Sequence, residues 1–338
     1  LNWRLLMSKN YYIIPLFVPQ EGCPYKCVFC NQDRITGSKE SVTAKTVYDT
    51  VEEYLQTINN KDATIEISFF GGTFTGIREE KQRELLSVAK EYKDKGLIDK
   101  IRMSTRPDYI NDYILSYLQE YSVDIIELGV QSLVGDVLIG AGRGHTIKQV
   151  EDASKLIKEY GFTLGHQIMP GLPRDNFEKD IETVKRSISM KPDICRIYPS
   201  LVIKDTPMSV MYNRGEYIPY TLDEAVSICK KLYKMYLEAG VQVIRIGLQP
   251  TDTITEGKDI VDGPFHPAFR ELVEGSFISD RIREVFKESK KGIICLNSRD
   301  LSKLYANKKK YFKELLSDGF KIDVQTDDTL ERGQIIFK

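Results

Sequence analysis

The chain has 338 residues, with 48 Lys and Arg against 49 Asp and Glu, a net charge of −1, and 41% hydrophobic residues. These values are typical of a globular protein with a large core; they exclude a disordered chain and give no support for a broad nucleic-acid footprint. Because no apolar run approaches the roughly 20 residues that cross a bilayer, and residues 1–7 are too short for a secretory signal, we expect a cytoplasmic protein without a membrane partner.

Hydrophobic periodicity predicts strands that alternate with helices along most of the chain. The predicted strands are residues 11–18, 64–70, 101–105, 125–130, 163–169, 194–198 and 241–246. The predicted helices are residues 43–58, 79–95, 111–120, 147–160, 177–190 and 222–239. This alternation favours an α/β fold with a parallel sheet under covering helices. Six or seven such units predict a partial (β/α)6-type, TIM-like barrel, whose chemistry lies at the carboxyl ends of the strands.

The end of the chain predicts a small α/β extension, so we divide the chain into a core domain, 1–265, and an extension, 266–338. Its predicted elements are a helix at 269–287, a strand at 292–296, a helix at 301–316 and strands at 320–325 and 334–337, the last two of which could pair. Lys308, Lys309 and Lys310 fall on the second helix. They predict a solvated face, with contact to phosphate as the alternative.

Three cysteines follow the first predicted strand with the spacing C-x3-C-x2-C: Cys23, Cys27 and Cys30. Three thiolates suit an iron–sulfur cluster better than a disulfide set, because an odd number leaves one unpaired. With three ligands, a 4Fe-4S cluster keeps one iron open, as catalytic metal sites do. The alternative is a structural zinc site, which normally has four ligands, but the nearest further cysteine and histidine in the sequence are Cys195 and His145.

The other cysteines, Cys195, Cys229 and Cys295, have no metal-ligand spacing and predict small core residues. We expect no disulfides and a reducing, oxygen-poor environment.

A second motif, Gly71-Gly72-Thr73, follows the second predicted strand. Paired glycines allow the backbone to approach a ligand closely, although a Gly-Gly pair alone indicates only a turn. Its place at a strand end, like that of the cysteines, favours the ligand interpretation.

The cysteine spacing, with Phe29 before the third cysteine, resembles the radical SAM superfamily. Further segments resemble, in the same order, the radical SAM domain of the Elongator catalytic subunit: Ser104–Tyr109, Glu127–Leu133, Gly142–Thr146, Met169–Pro173 and Arg196–Ile203. A similar Gly-Val-Gln and downstream Arg occur in oxygen-independent coproporphyrinogen oxidases. The resemblance implies a radical SAM barrel that binds a 4Fe-4S cluster on Cys23, Cys27 and Cys30, and S-adenosylmethionine (SAM) on its open iron.

The same resemblance implies reductive cleavage of SAM to a 5′-deoxyadenosyl radical, with an electron donor such as ferredoxin or flavodoxin. The positions that it assigns to SAM are Phe29, Gly71, Gly72, Thr73, Ser104, Gln131, Arg143 and Gln167. Arg143 can pair with a carboxylate through two hydrogen bonds, and Gln131 offers a donor and an acceptor to a hydroxyl; the alternative for each is a surface or capping role. For His145, ligand contact and a structural role both remain open.

The sequence departs from the Elongator pattern in three places. Ser104 stands where a Glu is usual, so it can hydrogen-bond a ribose but cannot supply charge. The cysteine spacing is longer in the Elongator subunit. The stretch 266–338 is too short for the acetyltransferase domain that follows there.

Three hypotheses about function remain after the sequence analysis. The first is a radical SAM enzyme that acts on an RNA base, with tRNA as partner; the second is the same chemistry on a small molecule such as a tetrapyrrole. The third is a non-catalytic iron–sulfur redox sensor, which would have no need of the SAM motifs. The sequence does not identify the hydrogen donor to a substrate radical; Tyr198, at a predicted strand end, is a residue to test for this role, although a tyrosine there is more often a packed wall residue.

Overall fold

A seven-stranded parallel sheet forms the centre of the molecule. The computed structural model describes residues 11–18, 23–31, 41–248, 255 and 257–338. In chain order the strands are β1 (Tyr11–Val18), β2 (Thr64–Gly71), β3 (Lys100–Thr105), β4 (Ile125–Gln131), β5 (Thr163–Ile168), β6 (Ile194–Ile197), β7 (Val202–Ile203), β8 (Gln242–Ile246), β9 (Ile260–Asp262), β10 (Lys291–Leu296), β11 (Lys321–Thr326) and β12 (Ile335–Phe337). The large sheet has the order β1-β2-β3-β4-β5-β6-β8, and β7 pairs with β9.

Helices follow most of the sheet strands, as the alternation predicts. They are α1 (Ala44–Thr57), α2 (Glu79–Asp94), α3 (Asp112–Glu120), α4 (Gly135–Gly140), α5 (Ile147–Glu159), α6 (Phe177–Ser189), α7 (Pro207–Asn213), α8 (Leu222–Glu238), α9 (Phe269–Val285), α10 (Leu301–Leu304) and α11 (Ala306–Ser317). Capping boxes at Thr43, Thr146 and Thr221 fix the starts of α1, α5 and α8, because each side chain accepts a hydrogen bond from an otherwise free helical N–H. The predicted α/β partial barrel is confirmed, with seven parallel strands; α4 and α7 were not predicted.

The sheet is strongly curved, as one contact across it shows. The Arg196 guanidinium on β6 lies 5.1 Å from the ring centroid of Phe70, at the end of β2, although three strands separate β2 from β6. Such a contact is possible only across the concave side of the sheet, which we call the lumen. The convex side is buried under the helices, where Ile67, Leu85 and Leu118 are fully buried. The prediction that Cys195, Cys229 and Cys295 are core residues is confirmed, since all are buried.

The end of the chain forms a three-stranded sheet of order β11-β10-β12. The predicted pairing of the last two strands is wrong, because β10 lies between them, parallel to β11 and antiparallel to β12. The predicted helix 301–316 is also wrong as one continuous element. It breaks at Asn307, Lys308 and Lys309, which have left-handed φ angles of 51°, 53° and 67°, so the lysine run does not lie on a regular helix. Lys310 forms an ion pair with Asp223 on α8.

Helix α9 contributes to two hydrophobic cores. Its first turns place Phe269, Leu272 and Val273 in the core that α8 shares with β6 and β8. Its later residues Ile278 and Ile282 lie in the core of the small sheet. The division at 265/266 stays a prediction, and a single helix binds the two predicted units together. Within the described residues, no helix is long and apolar enough to span a membrane.

Candidate active site

The cysteine loop lies beyond the carboxyl end of β1 and is held by backbone hydrogen bonds on both sides. The Val28 N–H donates to the Ala141 carbonyl at 3.0 Å, and the Met208 N–H donates to the Val28 carbonyl at 2.9 Å. The Cys30 N–H donates to the Cys27 carbonyl at 3.0 Å, which closes a tight turn. The described stretch 23–31, which we call the cysteine loop, therefore has a fixed position although it contains no helix or strand.

Two side chains from distant predicted motifs contact the cysteine sulfurs. The Thr73 hydroxyl lies 3.6 Å from Cys23 Sγ, and Arg143 Nη1 lies 3.3 Å from Cys27 Sγ. Both are donors, and both are buried. The structure thus brings together the cysteine loop, the Gly-Gly-Thr motif and the glycine-flanked arginine, three segments that the sequence analysis connected only by resemblance.

The chemistry of these thiols suits a cationic metal centre. Burial raises the pKa of the Cys30 thiol to about 12, with a further increase from negative charge on Cys27 and Cys23, while Arg143 acts in the opposite direction. Thiolates held this close need a compensating positive charge, and metal binding supplies it as the protons leave. No three His, Cys, Asp or Glu side chains in the described part of the chain already surround a single point, as one bound ion would require. The assignment of an iron–sulfur centre therefore depends on the residue types and on their neighbours.

A group of residues that was not predicted as part of the site fixes the cysteine loop. The Arg106 guanidinium donates to both carboxylate oxygens of Asp108 and, at 2.7 Å, to the Arg143 carbonyl. It lies 4.7 Å from the centroid of the Tyr25 ring. Gly144, with φ +74°, leaves room for that ring, since a Cβ there would lie 2.5 Å from it. The Thr-Arg-Pro-Asp segment could have indicated this role of Arg106, since it is part of the resemblance to the Elongator subunit, but the resemblance assigned no function to Arg106.

Gly71 has a structural requirement of its own. A Cβ at this position would lie 2.5 Å from the Val18 carbonyl oxygen, and its φ of +111° also favours glycine. The Gly72 N–H donates to the same carbonyl at 3.1 Å. The glycine pair therefore joins the ends of β1 and β2 directly beside the cysteine loop, whether or not it also contacts a ligand.

Gln131 and Arg143 have polar atoms without protein partners. Gln131 ends β4 at a bulge with a left-handed φ of +65°, and it is only 8% exposed, yet its Oε1 has no hydrogen-bond partner. Arg143 uses Nη2 to donate to the Gly129 carbonyl, whereas its buried Nε has no partner. Strained backbone and unsatisfied buried polar groups are concentrated at functional sites. These atoms fit a polar ligand in the barrel mouth.

The remaining predicted residues divide between the lumen and the core. Ser104 and Gln167 are partly exposed; Ser104 lies two residues after Arg102 on the lumen side of β3, and Gln167 is in register with Arg196. Phe29 packs in a small apolar cluster around Val137 and Leu172.

His145 is buried beside two cationic side chains. Burial lowers its pKa to about 3, helped by the positive charges of Arg143 and Arg106 and opposed by the Val130 carbonyl. The ring is therefore neutral at physiological pH. Whether it contacts a ligand stays a prediction.

A ladder of charged side chains, which was not predicted from the sequence, crosses the lumen. Arg102 lies between the carboxylates of Glu66 and Glu127, and Glu127 also accepts from Arg196 Nε at 2.9 Å. Glu127 reaches β6 across β5 because Gly165 stands between them: a Cβ there would lie 2.7 Å from Glu127 Cγ. The sequence pattern that could have predicted this ladder is the occurrence of polar residues at alternate positions of otherwise apolar strands.

Tyr198 lies just after β6, at the carboxyl-end side of this ladder. Its hydroxyl accepts a hydrogen bond from Arg196 Nη1 at 3.2 Å, and the side chain is partly exposed. The position fits a residue of the lumen wall that also faces the mouth. Its role as a hydrogen donor stays a prediction.

A parallel half-barrel with a cysteine loop and unsatisfied polar groups at the carboxyl ends of its strands defines an enzyme of the TIM-like α/β class. Comparison with known families makes this specific. The model of the radical SAM superfamily matches residues 17–186, half of the chain, and the radical SAM C-terminal domain matches residues 192–278. The chain belongs to the radical SAM superfamily, as predicted, and members of this superfamily are enzymes that bind a 4Fe-4S cluster and SAM.

The chain is also similar to curated proteins and to a solved structure. The tRNA uridine(34) acetyltransferase of Methanocaldococcus infernus is 25% identical, over 94% of this chain and 63% of its own length. Human Elongator complex protein 3 is 28% identical, over 53% of this chain and 37% of its own length. The structure of M. infernus Elp3 with an N-terminal deletion has a TM-score of 0.65 at 23% identity, covers 84% of this chain and 68% of that chain, and shares the fold. The chain thus spans less than two thirds of the curated relatives' length.

Proposed function

We propose that this chain is a radical SAM enzyme that modifies a base of tRNA, with a 4Fe-4S cluster on Cys23, Cys27 and Cys30. The observation that carries the proposal is the meeting of three motifs at one place, where Thr73 and Arg143 contact the cysteine sulfurs in the mouth of a half-barrel. When bound, the cluster supplies an electron from a donor such as ferredoxin or flavodoxin, and SAM supplies the 5′-deoxyadenosyl radical.

The cysteine neighbours support the cluster half of the proposal. Hydrogen bonds and positive charge at the sulfurs stabilise thiolates and tune the redox potential of iron–sulfur centres. Arg143 supplies a charged donor at Cys27 and Thr73 a neutral one at Cys23. Arg106 holds the Arg143 backbone in place and stacks on Tyr25 of the cysteine loop, so it is a positioning residue.

The unpartnered polar atoms support the SAM half. Gln131 Oε1 can accept a hydrogen bond from a ribose hydroxyl or an ammonium group, and Arg143 Nε can donate to a carboxylate. Ser104 and Gln167, both partly exposed, would complete this wall from the lumen side, and the backbone of Gly71 and Gly72 would meet the ligand from the same end of the sheet. The apolar packing of Phe29 is best explained as support for the cysteine loop.

The names of the relatives support a tRNA substrate, because they include a tRNA uridine acetyltransferase and an Elongator protein. Because the chain spans only part of their length, we carry over the class of substrate, a tRNA base, and not the full reaction. A tRNA substrate and a cluster that oxygen destroys both favour the cytoplasm as the site of action.

The test is anaerobic reconstitution of the wild-type protein and of a C23A/C27A/C30A variant. We expect wild-type protein to bind iron and sulfide and, with dithionite, to convert SAM to 5′-deoxyadenosine; the variant should do neither. Cys229→Ala is the matched control, since that thiol is fully buried in α8 and should be dispensable for the cluster. Zinc in place of iron, or no SAM cleavage, would overturn the proposal.

The tRNA half has a separate measurement. Modified nucleosides are compared between a deletion strain and its parent by mass spectrometry. The loss of one modified nucleoside, restored by wild-type protein and not by the triple cysteine variant, is the expected result. An unchanged nucleoside profile from a protein that still cleaves SAM would assign the radical to a small molecule, as in the tetrapyrrole hypothesis.

A further inference from the structure

Arg245 faces the lumen, and no acidic side chain of the described residues pairs with it. Arg245 is the fourth residue of β8, close to the carboxyl end of the last sheet strand, and is in register with Arg196 on β6. Residues in register on neighbouring strands point to the same side of a sheet, so both guanidinium groups face the lumen. Their adjacency is unfavourable unless negative charge lies nearby.

The available negative charge is already used by other residues. Glu66 and Glu127 neutralise Arg102 and Arg196. Arg245 donates from Nε to the Gly247 carbonyl at 3.3 Å, and among the residues that the structure describes no carboxylate lies within ion-pair distance of it. Arg270, the other cation near Arg245, is itself paired with Glu274.

Two further observations indicate a ligand at this place. Arg196 Nη2 is buried without a hydrogen-bond partner, so the neighbour of Arg245 also has an unused donor. Burial is the main cause that lowers the pKa of Arg245; Tyr198 opposes it, and the positive charges of Arg196 and Arg270 add to it, so the surroundings compensate the charge of Arg245 only in part. Partly buried charges are normally paired, and an unpaired one in a cleft is a candidate binding residue.

The chemistry of the place fits an oxyanion attached to a planar group. A guanidinium fork donates two parallel hydrogen bonds to phosphate oxygens. Tyr198 and Phe70, both partly exposed, border Arg196 and offer aromatic surface for a base. Arginine beside aromatic rings is the usual combination for an unstacked nucleotide.

We propose that Arg245, with Arg196 beside it, forms an anion subsite that holds a phosphate group next to the target nucleotide in the lumen. This proposal rests on the proposed function. It adds that the substrate enters the lumen as a nucleotide that carries a phosphate group. The phosphate is held near β6 and β8, while SAM lies near Gln131 and Arg143. Enzymes that modify a base flip the target nucleotide out of the stacked bases, and a bound phosphate would hold that nucleotide in the flipped-out position.

The experiment measures binding of a fluorescently labelled tRNA anticodon stem-loop to reconstituted protein between roughly 50 and 200 mM salt. We expect Arg245→Gln to weaken binding about 10-fold and to reduce the slope of log K against log salt by roughly 0.7 to 1, the value of one phosphate contact. Arg245→Lys keeps the charge and should keep most of the slope. Arg186→Gln, an exposed residue of outer helix α6, is the control for net charge and should change neither.

SAM cleavage in the absence of RNA is the second readout. It should be the same in Arg245→Gln and wild type, which also shows that the variant folds. An unchanged salt slope in Arg245→Gln would overturn the anion subsite while the proposed function stands. A parallel loss of SAM cleavage would overturn it too, because the anion would then be the SAM carboxylate. Wild-type protein that cleaves SAM but does not bind the stem-loop would contradict both the subsite and the tRNA substrate.

Discussion

The two ends of the lumen are built from similar residues and differ in how these are paired. At the amino-terminal end, Glu66, Arg102 and Glu127 form ion pairs with each other, and the Tyr11 hydroxyl donates to Glu66. At the carboxyl-terminal end, Gln131 and Arg143 have buried polar atoms without partners. The charges of the first end are thus neutralised within the protein, although Arg102 Nε meets Glu66 only as an ion pair without a hydrogen bond. The second end has buried donors and acceptors that no protein group uses, and buried polar groups are normally satisfied. The amino-terminal end therefore stabilises the barrel, whereas the carboxyl-terminal end can bind ligands.

The largest effect is expected from breaking the paired end. Arg102→Met leaves the buried carboxylate of Glu66 without its cation, and removing one partner of a buried pair typically costs about 3–5 kcal/mol. Urea unfolding of the cluster-free protein measures the loss. Lys148→Met, which breaks an exposed pair with Asp152 on α5, is the control and should cost less than about 0.5 kcal/mol. A loss at Arg102 as small as that of the control would mean that the ladder does not stabilise the barrel.

A pH series tests the excess of positive charge at the unpaired end. The pKa of His145 is about 3 in the folded protein against roughly 6.5 when unfolded, so the unfolded chain binds more protons between these values. The stability due to neutral His145 is therefore present above about pH 6.5 and is lost as the pH falls towards 3. In His145→Gln, unfolding free energy should fall less steeply over this window, by up to about 1.4 kcal/mol per pH unit. Equal slopes for variant and wild type would contradict the burial of a neutral ring beside Arg143.

The smallest effect on stability, and the sharpest separation of the two ends, is expected at Gln131. Its left-handed φ costs about 1 kcal/mol that glycine avoids, so Gln131→Gly should be as stable as wild type or more so, by up to about 1 kcal/mol, while SAM affinity falls. Ser122→Gly is the matched control, because Ser122 also has a left-handed φ, of 54°, but precedes the amino end of β4. It should gain stability without any change in SAM binding. A Gln131→Gly variant with wild-type SAM affinity would remove Gln131 from the binding site.

The alternation of elements could be predicted because it depends on local patterns. Strand β1 has the predicted bounds, Tyr11–Val18, and the predicted helices of the core end within a few residues of the observed ones. The C-terminal region was harder. Asn307 to Lys309 belong to a run that favours helix by propensity, but the flanking Ala306 and Tyr311 are both buried in a core, and this tertiary context overrides the local preference.

The site was predictable only where its residues form contiguous motifs. Cys23, Cys27 and Cys30 stand together in the sequence, and the structure keeps them in one loop. The ladder from Glu66 to Arg196 joins residues of four strands, and neither its pairing nor the space left by Gly165 can be read from any one of them. The unpaired state of Arg245 is likewise a property of the assembled sheet, since it depends on carboxylates that neighbouring strands have already used.

The position of α9 has a consequence for anyone who wishes to shorten the protein. Phe269 packs directly on Gly247, two residues beyond Arg245, where a Cβ would lie 2.9 Å from it. A truncation after residue 265 would remove Phe269, Leu272 and Val273 from the core that α8 shares with β6 and β8. It would also remove the packing that supports β8, the strand of Arg245. A cut after Val285 would also be damaging, because Ala306 and Tyr311 lie in the same core and the small sheet covers Ile278 and Ile282 of α9, so the barrel and the extension are stabilised as one piece.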